Sequence, residues 1–515
     1  MTTSAPPAAR TARPGARDVL AAVLDPGSFR SWDAPVDLSG ADPAYRRRLL
    51  DAEARCGADE SILTGAGTVA GRRVAVAVSE FAFLAGSVGS AAAARLVNAV
   101  RRATAERLPL LVAPASGGTR MQEGTAAFLA MVPVTAAVAD HRAAGLPFLV
   151  HLRHPTTGGV LASWASLGHV TTAEPGALVG FLGPRVQEAL SGAALPAQVQ
   201  TAENLLRHGL VDAVVPLHRL RSVAGRALAV LGDPPAPVPP RVPGPAVEPD
   251  PAAAPDPWRV VQRSREPGRP GLREVLAAAD DVLPLRGTGQ GESGGALLLA
   301  LVRLRGTSCV LVGQDRYAQA HGTALGPAGL RTARRGMRLA EELGLPLVTV
   351  VDTPGAELSA AAEEQGLAGE IARCLADLVR LRTRTVSVLL GAGAGGGALA
   401  LLPADRVLAA SHSWLAPLPP EGASAVVHRD TAHAPELARS QGIDASALRR
   451  AGFVDVLVPE PRDAAEDPEG FVQRLCDALG AELAAGRGQR HPTPRRLGRH
   501  GTTPPDLEEI PWRTT

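Results

Sequence analysis

The sequence predicts an α/β fold built as two tandem lobes related by internal duplication, and three observations predict it. Apolar, β-rich runs alternate with Ala/Leu-rich helical stretches through both halves, which is the pattern of βα units around a largely parallel sheet. The run from Gly232 to Pro257, GDPPAPVPPRVPGPAVEPDPAAAPDP, is too rich in proline for a helix or a central strand, and it divides the 515-residue chain nearly in half. Segments on its two sides match in the same order: Pro109 pairs with Pro346, Gly158 with Gly396 and Gly209 with Gly452. The offsets of those pairs, 237 (109 to 346), 238 (158 to 396) and 243 (209 to 452), are nearly constant, as a duplicated unit requires.

The elements follow in chain order. Residues 1–42, beginning MTTSAPPAARTARPGARDVL, are Arg-rich and acid-poor but lack an apolar signal core, so they read as a disordered arm, not a targeting segment. Residues 43–231 form the first lobe. In it RLPLLVAPASGG is a strand that follows a helix, and GLPFLVHLR is a buried strand. Thr157, Gly158 and Gly159 come next and open an Ala/Ser/Leu stretch that reads as a helix. Residues 232–257 are a semi-rigid linker, and residues 258–487 form the second lobe. There GLPLVTVVDTPGA repeats the first strand and RTVSVLL the second, and GAGAGGGALALL follows as the glycine-rich turn into a helix. Residues 488–515 are Pro/Gly/Arg-rich and read as a disordered tail.

Composition narrows the chemistry. Hydrophobic residues are 45% of the chain but aromatics only 3%, so the cores must be filled by Ala, Val and Leu. The charges nearly cancel, to +2, which argues against a nucleic-acid coat. Every basic residue is arginine. The chain therefore has no lysine for a P-loop, a Schiff base or covalent biotin. Cys56, Cys309, Cys374 and Cys476 are scattered, form no CxxC pair and suit a reducing cytosol, so no zinc is expected.

Two glycine turns carry the functional reading. Backbone N–H groups at the start of a helix point outward and can stabilise a developing oxyanion, and glycine lets a substrate approach without meeting a Cβ. Thr157-Gly158-Gly159 and Gly395-Gly396-Gly397-Ala398 thus read as two oxyanion holes, one per lobe. Tight helix–strand packing is the competing explanation for either turn alone; matched positions in a repeat favour function. GAGAGG, Gly391 to Gly396, fits the dinucleotide-binding pattern by letters, but no acidic residue follows at the next strand end to hold a ribose. GESGG, Gly291 to Gly295, precedes a strand instead of following one, so it is not a nucleophile elbow. His151 and His154 read as polar loop residues.

At this point the residues carry a resemblance. ILTGAGTVAGRRVAVAVSEFAFLAGSVGS, LPLLVAPASGGTRMQEG, PTTGGVLASWASLGHVTTAEPGALVGFLGPRV and QTAENLLRHGLVDAVVP resemble the β subunit of bacterial acetyl-CoA carboxylase carboxyltransferase. The second half resembles the α subunit through WRVVQRSREPGRPGLREVL, GLRTARRGMRLAEELGLPLVTVVDTPGA, EEQGLAGEIARCLADL, GAGAGGGALALLPADRV and PPEGASAVVHRD. The chain looks like a fused β–α carboxyltransferase with two crotonase-like βα-superhelix lobes.

The resemblance implies a cytoplasmic enzyme that moves a carboxyl group from carboxybiotin, held on a separate carrier protein, to acetyl-CoA, giving malonyl-CoA for fatty-acid synthesis. Biotin carboxylase and the biotin carboxyl carrier protein would be its partners within an ATP-dependent complex. The base is then the cofactor, so no acid–base pair is required. Gly158 and Gly159 would serve the thioester, and Gly396 and Gly397 biotin. Gly86, Ser87 and Gly89 would form a helix start near the acyl-CoA, with Ser116, Gly117 and Gly118 at a similar turn. Arg120 beside that turn is equally a ligand contact or the structural partner of Glu123. The resemblance also implies at least a homodimer, with first and second lobes of different protomers facing one site. The four-cysteine zinc ribbon of the β subunit is absent, and GQDRYAQAHGTALG replaces a lysine-bearing loop of the α subunit. A propionyl-CoA-type carboxyltransferase, a malonyl-type decarboxylase and a non-catalytic acyl-CoA-binding scaffold are the alternatives, and Ala400 is a candidate for setting acyl length.

Overall fold

A computed structural model of the chain describes residues 13–232 and 255–485. They form two compact units that divide between Gly232 and Asp233. Most of the proline-rich linker and the tail lie outside the described residues.

The disordered arm expected over residues 1–42 needs correction wherever it is described. Helix α1, Ala16–Val23, places Ala16, Val19, Leu20 and Val23 on one buried face, an i, i+3, i+4, i+7 stripe. That face packs on Val76, Val78, Leu111, Ala113 and Leu220. Behind it the Asp25 carboxylate accepts the N–H groups of Ala70 (3.0 Å) and Gly71 (2.8 Å), which pins the segment to a turn of the sheet. Strand β1, Arg30–Ser31, follows. Helix α2, Pro43–Cys56, has Asp42 as N-cap, proline at its first position and Gly57 in the left-handed region as its stop.

The first unit continues with the hairpin β2, Ile62–Val69, and β3, Arg72–Ser79. Helix α3, Ser90–Ala105, leads to β4, Leu110–Ala113. Strands β5, Phe148–Leu152, β6, Thr156–Thr157, β7, Val170–Ala173, β8, Val179–Gly180, and β9, Ala213–Val214, complete it. The main sheet runs β1-β2-β3-β4-β5-β7-β9, while β6 and β8 pair separately. Pairing is antiparallel through β3 and parallel from β3 onward.

The second unit repeats this plan. Its strands are β10, Asp281–Leu285, β11, Leu297–Leu304, β12, Thr307–Gln314, β13, Leu347–Thr353, β14, Thr385–Ala394, β15, Arg406–Ala410, β16, Trp414–Ala416, and β17, Val456–Val458. They run β10-β11-β12-β13-β14-β15-β17, with β16 on the end of β14, and turn from antiparallel to parallel at β12. Their cores are mainly Ala, Val and Leu, with few large rings such as Phe148, Trp164 and Phe471.

Register sharpens the repeat. Val88 bridges Thr119 and Leu325 bridges Ala356; Ser116 bridges Thr156 and Thr353 pairs with Gly393. All four positions carry the same offset, 237 (88 to 325, 119 to 356, 116 to 353, 156 to 393). Gly158 therefore corresponds to Gly395, not to Gly396 as the letters suggest. Both glycines have positive φ, +68° and +64°.

Candidate functional site

In each lobe a glycine turn leaves the third strand of the parallel set beside a second loop, which leaves the strand before it. In the first lobe that loop is Ser116–Arg120. Its Ser116 hydroxyl accepts the Gly118 N–H (3.0 Å) and donates to the Gly118 carbonyl (3.3 Å), and Gly118 has φ +108°. In the second lobe Thr353 does the same for Gly355, at 3.2 and 2.8 Å, and Gly355 has φ +145°. The loop and the turn touch. A Cβ on Gly158 would lie 3.0 Å from the Gly118 Cα, and a Cβ on Gly397 would lie 3.3 Å from the Ala356 nitrogen. At Gly158 backbone packs on backbone and φ is positive, which calls for glycine; at Gly397 the Leu325 side chain, 3.2 Å from such a Cβ, is the nearer neighbour.

The two turns differ from expectation in detail. After Gly159 the chain makes consecutive turns in place of a regular helix: Ala162 N–H reaches Gly158 O, but Ala165 N–H reaches Val160 O. In the second lobe β14 extends through Ala394, so GAGA is strand and the turn begins at Gly395. The helix there, Gly395–Leu399, is one turn long and adds little macrodipole. What both turns present is amide N–H groups without intrahelical acceptors.

The Gly158 N–H is already committed to the Phe181 carbonyl at 2.8 Å. The next amide of the turn is that of Gly159. In the second lobe Gly396 and Gly397 supply the first-turn amides, with Ala356 beside them; Ala398 is fully buried and its N–H makes the first bond of the helix, to the carbonyl of the N-cap Ala394. Gly396 is glycine for another reason, because a Cβ there would meet Ile371 at 2.9 Å. Thr119 and Ala356, the equivalent loop positions facing the turns, carried no sequence signal beyond following SGG and TPG. Ala400 is fully buried.

The residues expected at the acyl-CoA have partners within the lobe. Arg120 is 1% exposed and forms a buried two-point ion pair with Glu60; it also donates to the Ser87 carbonyl (2.8 Å) and the Tyr45 hydroxyl (3.2 Å). Burial works against its charge, but Glu60 outweighs burial and holds its pKa above the ordinary value. Glu123 is only 3.5 Å away and secondary. Arg120 thus ties the Ser87 loop to the Ser116 loop.

Glu123 accepts the Ser90 N–H and the Tyr45 hydroxyl, each at 2.6 Å, so the start of α3 behind Gly89 is already capped. Burial raises the Glu123 carboxyl, but these donors bring it below its ordinary value. Gly86 is there for packing, because a Cβ would meet the Ala115 carbonyl at 2.0 Å. Gly117 donates to the Ala85 carbonyl (3.0 Å), which joins the two loops.

The histidines near the first turn are structural. His151 is buried against Thr172 Oγ1 (2.9 Å), and burial lowers its pKa to about 3. His154 Nδ1 accepts the Leu178 N–H. Among the described residues one group has metal-ligand chemistry: His412, Glu460 and Asp463. Glu460 is held by Arg269 at 2.5 and 2.8 Å, and Arg263 stands 3.4 Å from Asp463. Two arginines already supply the positive charge an ion would bring, so this is an ion-pair network.

Comparison with known proteins identifies the family. A model of the carboxyl transferase domain family matches residues 11–497. The chain is 60% identical, over 92% of its length and 95% of the relative's, to the probable biotin-dependent acyl-coenzyme A carboxylase beta3 subunit of Mycobacterium tuberculosis. It is 40% identical, over 90% of its length and 86% of the relative's, to the acetyl-coenzyme A carboxylase carboxyl transferase subunits beta/alpha of Salinispora tropica. In fold it is similar to transcarboxylase 12S, solved with methylmalonyl-coenzyme A and methylmalonic acid bound, with a TM-score of 0.74 at 22% identity over 95% of this chain and 92% of that one. With two crotonase-like lobes and a family match over nearly its whole length, the chain belongs to the carboxyl transferase domain family, as a carboxyltransferase of the biotin-dependent acyl-CoA carboxylase type.

Proposed function

We propose that the chain transfers a carboxyl group from carboxybiotin, borne by a separate carrier protein, to the α-carbon of acetyl-CoA. The observation that carries this reading is the repeated pair of loop and turn at constant register. It gives each lobe a glycine turn whose amide N–H groups lie beside the neighbouring loop. When bound, carboxybiotin supplies the carboxyl group and the ureido nitrogen that takes the α-proton. The chain has to hold two oxygens. The amides of Gly159 and Thr119 suit the thioester oxygen as charge develops on it. Those of Gly396, Gly397 and Ala356 suit the ureido oxygen. Each such donor is worth about 10²–10³ in rate.

The charged groups around the first turn support a cofactor base. Glu123 caps α3, Arg120 is paired with Glu60, and His151 is buried and neutral at ordinary pH. Exposed apolar side chains, among them Met121, Phe128 and Val132 in the first lobe and Leu358, Val426 and Val427 in the second, support assembly into a dimer or larger. Light scattering showing an active monomer would contradict that part of the reading. The substrate test is reconstitution with biotin carboxylase and carrier against acetyl-, propionyl- and butyryl-CoA. A highest kcat/KM with acetyl-CoA is expected, and preference for a longer acyl chain would move the assignment to a propionyl-type enzyme.

A further inference from the structure

We infer that Gln319 is a positioning residue that sets the second-lobe loop carrying the Ala356 N–H. The inference rests on the reading of that loop and its glycine turn as an oxygen site. Gln319 lies on the short helix Arg316–Ala320, within the stretch GQDRYAQAHGTALG, and is half-buried. Its side-chain nitrogen donates to the Asp352 carbonyl at 3.0 Å, and its side-chain oxygen accepts the Thr353 hydroxyl at 2.6 Å. The reverse orientation would set oxygen against oxygen at Asp352, so the amide is held one way round. The Thr353 hydroxyl has one proton, and Gln319 is a nearer acceptor for it than the Gly355 carbonyl at 2.8 Å. With the proton on the Gln319 side, a lone pair stays directed at the Gly355 N–H, 3.2 Å away.

Ala356 stands between two anchors. Upstream the Gly355 N–H is held on Thr353, and downstream the Glu357 N–H donates to the Leu325 carbonyl at 3.0 Å. Successive amides of an extended segment point to opposite sides. The Ala356 N–H therefore faces away from Leu325 and toward the glycine turn, where a Cβ on Gly397 would lie 3.3 Å from its nitrogen. Ala356 is half-buried, and among the described residues no group accepts its N–H. The first lobe ties its own loop differently. Gly117 N–H bonds the Ala85 carbonyl (3.0 Å), and Arg120 donates to the Ser87 carbonyl (2.8 Å). At the 237 offset these two positions are Pro354, which has no N–H, and Glu357, while Gln319 stands where the first lobe has Ala82. The second-lobe loop cannot make either tie, and Gln319 supplies one in their place.

The test compares Gln319→Leu, Thr353→Val and the two combined with Gly397→Ala and Val348→Ala, each in the full-length chain. Val348 is buried in the same strand as Thr353 and controls for core damage. The assay is decarboxylation of malonyl-CoA with free biotin as acceptor, alongside acyl-CoA binding by calorimetry. Gln319→Leu is expected to lower kcat by about 10–100-fold, at most the loss of one donor, with acyl-CoA affinity within twofold of wild type. The double variant should fall no further than Thr353→Val alone, because Gln319 acts through that hydroxyl. Val348→Ala should lose stability but keep its kcat. If Gln319→Leu keeps near-normal kcat while Gly397→Ala loses it, the positioning role is overturned and the reading of the turn stands. If Gly397→Ala also keeps near-normal turnover, that reading itself fails. Losses in Gln319→Leu and Thr353→Val that multiply in the double variant, or a loss of kcat in Val348→Ala equal to that in Gln319→Leu, would overturn the inference.

Discussion

Replacing Gly158 with alanine adds one methyl group at the point where the two first-lobe loops meet. Two costs can be worked from the structure. Gly158 has φ +68°, and placing an L-residue there costs about 1–2 kcal/mol. The new Cβ would also sit 3.0 Å from the Gly118 Cα, a contact with backbone that no rotamer relieves. Gly176 supplies a matched control: its φ is +65° and a Cβ there meets nothing within 4 Å.

Gly176→Ala should therefore lose about 1–2 kcal/mol, or roughly 2–8 °C in Tm for a unit of this size, with full activity. Gly158→Ala should lose at least as much stability. Relief of its clash also has to separate the Gly118 loop from the turn that carries the Gly159 N–H. A displaced donor predicts a fall in kcat of about 10²-fold. The assay is malonyl-CoA decarboxylation with free biotin, with thermal unfolding followed in parallel. If Gly158→Ala unfolds earlier than wild type yet keeps kcat within threefold, the first turn is structural and the donor assignment is wrong.

Further outcomes follow from packing and charge. Leu20→Ala should cost about 2–4 kcal/mol, because the side chain is buried in the α1 contact with the sheet; an unchanged unfolding midpoint in urea would restore the disordered arm. Arg120→Met should destabilise by about 3–5 kcal/mol by leaving Glu60 buried and unpaired, while Arg120→Met combined with Glu60→Leu should recover most of that loss. Failure of the double variant to recover would show that Arg120 acts through its other contacts. Burial raises the Glu460 carboxyl, but Arg269 and His412 outweigh it and hold its pKa at about 2, against an ordinary 4.5. A carboxyl depressed on folding adds stability that is complete above about pH 4.5 and is lost as pH falls toward 2. Glu460→Gln should flatten the stability–pH curve in that window, and an unchanged slope in urea titrations at pH 3 and 5 would refute the assignment.

The sequence by itself determined the architecture. Alternating apolar runs, a proline barrier and three matched segments are local patterns, and they are enough to specify two βα lobes made by duplication. The glycine turns were legible for the same reason, because a backbone that must approach another backbone leaves glycine in the sequence. The helix α1 was legible too: Ala16, Val19, Leu20 and Val23 show the spacing of a buried face, but the Arg-rich composition of the residues before it obscured the pattern.

Only the tertiary structure decided the commitments of individual groups. A sequence offset of 238 pairs Gly158 with Gly396, but strand register pairs it with Gly395, because register is set by hydrogen bonds between distant strands. No local pattern shows that Phe181, over 20 residues on, consumes the Gly158 N–H, or that Glu60 and not Glu123 is the main partner of Arg120. Gln319 is equally silent in sequence. It becomes meaningful only where its helix meets the end of β13 and the loop beside the glycine turn, since an amide takes its role from the groups that the fold brings to it.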